Sequence, residues 1–235
     1  MRGLDAEKII ALSERGAHLP PARRAALLLA AAFPEAPESA LLRLAVGTRD
    51  RLLMQLRARM FGDAVTAHQS CAACGEDFEL DFTAGEVGLG PRREDEQLPE
   101  APAATLDYRR RSFEVRAVCV ADMIAAEAVD GIDAARELLA ARAAPEAPAA
   151  ARARVAEALE RLDPVADVQL EAPCPHCGSV EELRLEPGSF VWEELAARAP
   201  RILRDVADLA RAYHWSERDI LAMPAARRAF YLAAA

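Results

Sequence analysis

The sequence predicts an α+β fold that is predominantly helical and carries a small split zinc ribbon with a long insertion. Three observations support this prediction. Hydrophobic residues make up 52% of the chain but aromatic residues only 5%, and alanine-rich helical patterns predominate. Two Cys-x-x-Cys-Gly motifs, at 71–75 and 174–178, stand about a hundred residues apart. Beside both motifs, apolar and polar residues alternate with the period of two that is typical of half-buried strands.

The two cysteine motifs predict one shared metal site. A two-residue spacer places both sulfurs of a motif on one side of a tight turn, and the following glycine can adopt the positive φ that such a turn needs. Two such turns supply four thiolates, a closed tetrahedral set that suits a structural Zn²⁺. The predicted ligands, for one zinc ion per chain, are Cys71, Cys74, Cys174 and Cys177.

Other interpretations of these cysteines are weaker. Two separate thiol pairs or two disulfides remain alternatives, although a disulfide across a two-residue loop is strained. A thioredoxin-like redox pair needs a motif that opens a helix, and neither motif precedes an obvious one. The run Pro173-Cys174-x-x-Cys177 is half of a zinc deaminase signature, but no glutamate lies two residues after His18 or His68. A closed set of four thiolates also leaves no position for a catalytic water.

Charge and hydropathy limit the classes of partner and the compartment that can be expected for this chain. The formal net charge is −9, which argues against a general binder of phosphate backbones, so we expect no nucleic-acid partner. The apolar run 25–33 is too short to span a bilayer and follows acidic residues, so we expect neither a membrane segment nor a secretory signal. Thiols kept free for a metal indicate a reducing compartment, which favours the cytoplasm.

Residues 1–70 are predicted to form an N-terminal helical region. Helices are expected over 5–15 and 21–33, separated by prolines. A third helix is expected to begin with Thr48 as its N-cap and to stop at Gly62. This helix leads into the first cysteine motif.

The two parts of the ribbon, 71–83 and 164–188, enclose a predicted insertion over 84–163. It begins with a loop rich in glycine, proline and charged residues, followed by a hairpin with a basic triplet, 109–111, at its turn. We interpret the triplet as solvated, with contact to an acidic partner as the alternative. Short helices are then expected at 121–129, 133–142 and 151–162, and Cys119 is expected in the core.

Residues 189–235 are predicted to form a C-terminal helical module after a turn at 187–189. A stripe from Ile202 to Tyr213 indicates a helix, and Ser216 resembles the first residue of a capping box. The aromatic residues near the end have two interpretations, core packing or docking to a partner. On the second, because arginine beside aromatic residues is frequent at interfaces, the partner-binding residues are Trp215, Arg227, Arg228, Phe230 and Tyr231.

Three blocks of the chain resemble one known family. The blocks are Gly47-x-Arg49-Asp50-x-Leu52-Leu53-x-x-Leu56-Arg57 with Phe61-Gly62, the two cysteine motifs, and Tyr213-x-Trp215-Ser216-Glu217-x-x-Ile220-Leu221-x-Met223-Pro224-x-x-Arg227-Arg228-x-x-Tyr231-Leu232. Together they resemble zinc-knuckle baseplate or tail-assembly proteins encoded with contractile phage tails and phage-tail-like contractile injection systems. The last block is also similar to the end of the wider contractile-phage baseplate hub and assembly family. The blocks cover about a fifth of the chain.

The resemblance implies a structural or assembly role without catalysis. Its partners would be other baseplate or tail proteins, with no small-molecule substrate, and the chain would lie in the cytoplasm or within an assembled particle. The residues themselves also give no indication of an enzyme, because the sequence has no glycine-rich phosphate loop and no convincing Ser-His-Asp pattern. A zinc-ribbon adaptor acting on nucleic acid or the transcription machinery is the alternative from another class, and an uncharacterised enzyme is a third.

Overall fold

The computed structural model describes residues 1–234, apart from the side chain of Glu96. It has the mixed helical and strand architecture that the sequence predicts. The helices are α1 Ala6–Gly16, α2 Pro21–Ala32, α3 Glu38–Leu42, α4 Val46–Phe61, α5 Val120–Ala126, α6 Ile132–Ala143, α7 Arg152–Leu162, α8 Pro187–Tyr213, α9 Glu217–Leu221 and α10 Ala225–Ala233. The strands are β1 Ala64–Ser70, β2 Asp77–Thr83, β3 Ala103–Tyr108, β4 Arg111–Arg116, β5 Val168–Pro173 and β6 Val180–Leu185.

The strands form three separate antiparallel hairpins, β1–β2, β3–β4 and β5–β6. Every helix predicted in the first two thirds of the chain is confirmed to within three residues at each end, and so is the hairpin in the insertion. Residues 64–70 form strand β1, an element that the sequence analysis places within its helical region. Across the range 1–234, no helix is both long and apolar enough to cross a membrane.

The main core lies between α1, α2, α4 and α8. Leu28 and Leu29 of α2, Leu52 and Leu53 of α4 and Leu195 of α8 are completely buried in it. Removing such side chains from water supplies most of the stabilising free energy of a domain. The insertion has a second, smaller core where α7 packs on the β3–β4 hairpin. The long helix α8 is therefore the element on which the N-terminal helices are assembled.

Thr48 is not the N-cap of α4, and this prediction was wrong. The helix begins two residues earlier, at Val46, with Ala45 in the capping position. The Thr48 side chain is buried inside the first turn, where its hydroxyl accepts a hydrogen bond of 2.9 Å from Arg51. A carboxylate distant in sequence satisfies the end of the helix instead, since Asp163 accepts the backbone N–H of Gly47 at 2.8 Å. A tertiary contact has replaced the local cap.

The predicted turn at 187–189 is also wrong, because these residues form the first turn of α8. Proline is tolerated there, since the first backbone N–H of a helix has no intrahelical acceptor. A Cβ at Gly188 would lie 3.2 Å from the Cβ of Ala25 in α2, so the glycine permits close packing of the two helices. The helix continues through Pro200 to Tyr213, for 27 residues.

Candidate metal centre

The two cysteine motifs occupy the turns of two hairpins. Cys71 and Cys74 lie in the turn between β1 and β2, and Cys174 and Cys177 lie in the turn between β5 and β6. The sequence reveals the strands that follow each motif and the strand before the second one. The sequence also carries a signal for β1, since Val65 and Ala67 alternate with Thr66 and His68, and Val65 is buried between exposed neighbours.

The two turns have the same backbone geometry. The N–H of Gly75 donates to the carbonyl of Cys71 at 2.9 Å, and the N–H of Gly178 donates to Cys174 at the same distance. Their φ angles are 77° and 78°. Residues with a Cβ rarely adopt this left-handed conformation, which explains why glycine follows the second cysteine in both motifs. The repeated turn brings both sulfurs of a motif to the same side, as the spacing predicts.

The structure brings all four predicted ligands together. Their sulfur atoms lie within 4.8 Å of one another, and the cross-hairpin distances are 3.6 Å between Cys71 and Cys177 and 3.8 Å between Cys74 and Cys174. Four sulfurs at about 2.3 Å from a tetrahedral zinc ion would stand about 3.8 Å apart. All four are free thiols, with no S–S bond among them, as a shared metal site requires. The cluster can hold one metal ion.

Two side chains that the sequence analysis did not select lie against the sulfurs. The Ser179 hydroxyl is 3.2 Å from the sulfurs of both Cys71 and Cys177. The Glu181 carboxylate is buried, lies 3.1 Å from the sulfur of Cys71 and accepts the backbone N–H of Ala72 at 3.2 Å. Ser179 immediately precedes β6 and Glu181 lies within it, and residues two apart in an extended chain face the same side. In the sequence, the only sign of their role is that they follow Cys177 by two and four residues.

These neighbours change the acidity of the thiols. The side-chain hydroxyl and backbone N–H of Ser179 stabilise the thiolate of Cys177 and lower its pKa to about 6. The backbone N–H of Glu76 also favours the thiolate of Cys74, but desolvation and the adjacent sulfurs outweigh it and raise the pKa of Cys74 to about 12. A cluster of four thiols therefore does not lose all its protons near neutral pH without a cation to offset the accumulating charge.

A small apolar cluster holds the two hairpins against each other beneath the sulfurs. Phe78 of β2 and Ala172 of β5 are buried between them, together with the inner cysteines Cys71 and Cys174. The outer cysteines, Cys74 and Cys177, are exposed. The site thus has a dry inner half and a solvent-facing outer half, through which an ion can enter.

No protein-family model, curated protein or solved structure matches this chain.

The predicted partner-binding residues are divided between surface and interior. Phe230 is 70% exposed and Arg227 is exposed on the same helix, α10. Trp215 and Tyr231 are half-buried, with ring centroids 4.9 Å apart. Arg228 is buried and donates to the carbonyl of Met223 at 2.6 Å, so its guanidinium does not belong to the outer surface.

The two interpretations of the C-terminal aromatics therefore concern different residues, and docking stays a prediction for the exposed ones. Trp215 and Tyr231 pack with Tyr213 against Leu209 and Ile220, which are completely buried. Aromatic pairs of this kind add free energy beyond the area that they bury. Core packing thus accounts for Trp215 and Tyr231, whereas Phe230 and Arg227 remain free for contact with another molecule.

Proposed function

We propose that this protein is a structural or assembly component of a contractile, phage-tail-like baseplate, in which one structural Zn²⁺ held by four cysteines completes a split zinc ribbon. The observation that carries the proposal is the convergence of the four sulfurs from two hairpins that are about 100 residues apart in the chain. A closed set of four thiolates suits a structural zinc ion and leaves no coordination position for substrate.

Zinc is the proposed ion because of ligand type and distance. Soft thiolates select zinc, copper(I) or iron–sulfur clusters over hard cations. The cross-hairpin separations of 3.6 and 3.8 Å match those around a single tetrahedral zinc ion. The hairpins share no strand pairing across the described part of the chain, so bonds to the ion would be their strongest direct link. A Zn²⁺ bound there would contribute its binding free energy to folding.

The sequence blocks that resemble baseplate proteins contribute mainly to the scaffold. In the first block, Arg57 is buried and forms an ion pair of 2.8 Å with Glu194 of α8. The third block builds α9, α10 and the aromatic cluster on the last turns of α8. Within the segment that this block spans, Arg227 and the unmatched Phe230 are exposed and have the composition of an interface anchor, which supports docking to another baseplate protein.

Deletion of the gene in its native host tests this function. The expected outcome is the loss of assembled contractile particles, with recovery when the intact chain is supplied again. Co-purification of the chain with sheath or tube components supports the same conclusion. Normal particles in the deletion strain reject the proposal.

A mobility-shift assay with random duplex DNA and RNA distinguishes the baseplate proposal from the alternative, a zinc-ribbon adaptor acting on nucleic acid. The net charge of −9 predicts no tight binding near physiological salt. Tight, salt-dependent binding by the zinc-loaded chain, together with normal particles in the deletion strain, would favour the zinc-ribbon adaptor instead.

A further inference from the structure

A cavity of about 550 Å³ lies where the C-terminal helices meet the main core. Its walls come from the start of α1, the end of α4, the middle of α8 and the junction of α9 and α10. The apolar part of the wall is formed by Leu4, Ile9, Met60, Ile202, Leu221 and Met223. Ligand-binding pockets of proteins commonly have volumes of about 300–1,000 Å³, so this cavity has room for one or two side chains of another molecule.

The polar part of the wall is strongly basic, although the chain as a whole is acidic. Three arginines line the cavity: Arg59, Arg198 and Arg228. The acidic residue among the lining residues is Asp5, whose carboxylate is already bound to the side chain of Lys8 at 3.1 Å and caps the start of α1. Within a protein of net charge −9, this concentration of cations creates a local site for an anion.

Arg228 is the central observation. Its side chain is buried, with 6% exposed, but it forms no ion pair with any carboxylate among the side chains that the structure describes. One nitrogen donates to the carbonyl of Met223, and its Nε, shielded from solvent, has no hydrogen-bond acceptor. A buried cation with an unsatisfied N–H is costly, and buried charges in proteins are normally paired.

The other buried arginines show what is missing. Each has a carboxylate within 3 Å: Arg49 pairs with Asp50, Arg51 with Asp95 and Arg57 with Glu194. The chain therefore neutralises its buried guanidinium groups as a rule. Arg228 departs from that rule at the wall of a cavity, where a carboxylate from another molecule could provide the balancing charge.

Two further features add positive potential. The side chain of Arg198, on the exposed face of α8, forms no ion pair or hydrogen bond with any residue that the structure describes. Helix α10 begins at Ala225, which also lines the cavity, so the positive end of the helix dipole lies at its edge. Neither feature defines a site alone, but both favour the same charge as Arg228.

We propose that this cavity binds an acidic segment of a partner protein, with an apolar side chain against the aliphatic wall and an adjacent carboxylate beside the arginines. A small inorganic anion would satisfy the guanidinium groups but would leave the apolar wall unused. The proposal does not depend on the baseplate function, because it rests on the charges and shape of the cavity alone.

An array of short peptides tests the proposal. The peptides pair each apolar side chain with Asp or Glu at each neighbouring position, and each has a matched Asn or Gln peptide. The zinc-loaded full chain should bind a subset of the acidic peptides, and the matched amide peptides should bind about tenfold more weakly or worse, because a charge-assisted hydrogen bond is lost. Arg198→Glu should abolish the preference. Arg201→Glu, on the same helix but away from the cavity, is the matched control and should retain it.

A second variant addresses the buried arginine. Arg228→Met keeps the length of the side chain and removes its charge, so it should lose peptide binding while its melting temperature stays near that of the parent chain. If Arg228→Met fails to fold, Arg198→Glu decides the question without it. The proposal is overturned if acidic peptides bind no better than their amide counterparts or if Arg198→Glu binds like Arg201→Glu. It is also overturned if inorganic phosphate alone occupies the site and no peptide competes with it.

Discussion

The carboxylate of Asp163 accepts the backbone N–H of Gly47 at 2.8 Å and so closes the first turn of α4 from 116 residues away in the chain. The fit is tight, since a Cβ at Gly47 would lie 2.1 Å from Oδ1 of Asp163 and 2.6 Å from a methyl group of Val165. The last residue of the insertion, shortly before β5, is thus fixed to the helix that precedes β1. This contact positions the two hairpins relative to each other before any ion is considered.

The first prediction follows from this contact. Gly47→Ala should lower the free energy of unfolding by about 1–3 kcal/mol, because the methyl group must displace the Asp163 carboxylate or Val165. Urea denaturation measures the change. Gly3→Ala is the matched control, since a Cβ at Gly3 meets no atom within 4 Å, and it should be neutral. Equal stability of the two variants would contradict the close contact.

The second prediction concerns the metal. Purified protein should contain one zinc ion per chain, and Cys74→Ser or Cys177→Ser should lose it and unfold, because structural zinc contributes apparent binding free energies of about 10–16 kcal/mol. Elemental analysis and circular dichroism measure both effects. Cys119→Ser is the control, because its sulfur lies against Asp122 and away from the cluster. Two zinc ions per chain, or none in a folded chain, would reject the shared site.

The third prediction concerns pH. Burial alone would raise the pKa of Asp122, but hydrogen bonds from Arg116, from the backbone N–H of Cys119 and from Arg142 outweigh it and hold that pKa far below its usual range. A folded-state pKa below the unfolded value of about 3.9 stabilises the protein above pH 4, and this stabilisation is lost as the pH falls below 4 towards the folded-state value.

Asp122→Asn tests this dependence. It should lower the free energy of unfolding near pH 7 by about 1–3 kcal/mol, since hydrogen bonds to a charged group are lost. The difference in unfolding free energy between the variant and the parent chain should be constant between about pH 6 and pH 8, because carboxylates are fully ionised there. It should shrink below about pH 4. Denaturant titrations at a series of pH values measure it. A difference that grows on acidification would show that the sign is wrong.

The fourth prediction separates packing from docking in the C-terminal module. Tyr231→Ala should lower the melting temperature clearly, because the ring lies 5.6 Å from Tyr213 and 4.9 Å from Trp215 within the buried cluster. Phe230→Ala should leave the melting temperature nearly unchanged, because its side chain is 70% exposed. If α10 docks to a baseplate protein, Phe230→Ala combined with Arg227→Glu should still prevent particle assembly in the host. Normal assembly with these two changes would remove α10 from the candidate interfaces.

The mixed helix-and-strand class, the helices of the first two thirds and the convergence of the four cysteines could be predicted because they depend on local patterns. Spacing alone places Cys71 and Cys74 on one side of a turn, and Gly75 and Gly178 adopt the positive φ that the motif requires. The capping of α4 could not be predicted, since Asp163 is remote in sequence and local rules favoured Thr48. Nor did periodicity show that Arg228 is buried, because a helical arginine beside exposed aromatics has the pattern of a surface residue.

The separation of the two cysteine pairs also determines when, during translation, all four cysteines become available. Ribosomes extend chains at about 5–20 residues per second, so roughly 5–20 s pass between the emergence of Cys74 and that of Cys174, 100 residues later. During this interval the first pair is a two-thiolate site, which can be oxidised or can bind an ion only weakly. Binding of the proposed zinc ion would therefore come late in the synthesis of the chain, and zinc limitation or oxidant stress should damage this protein while it is being made rather than after it has folded.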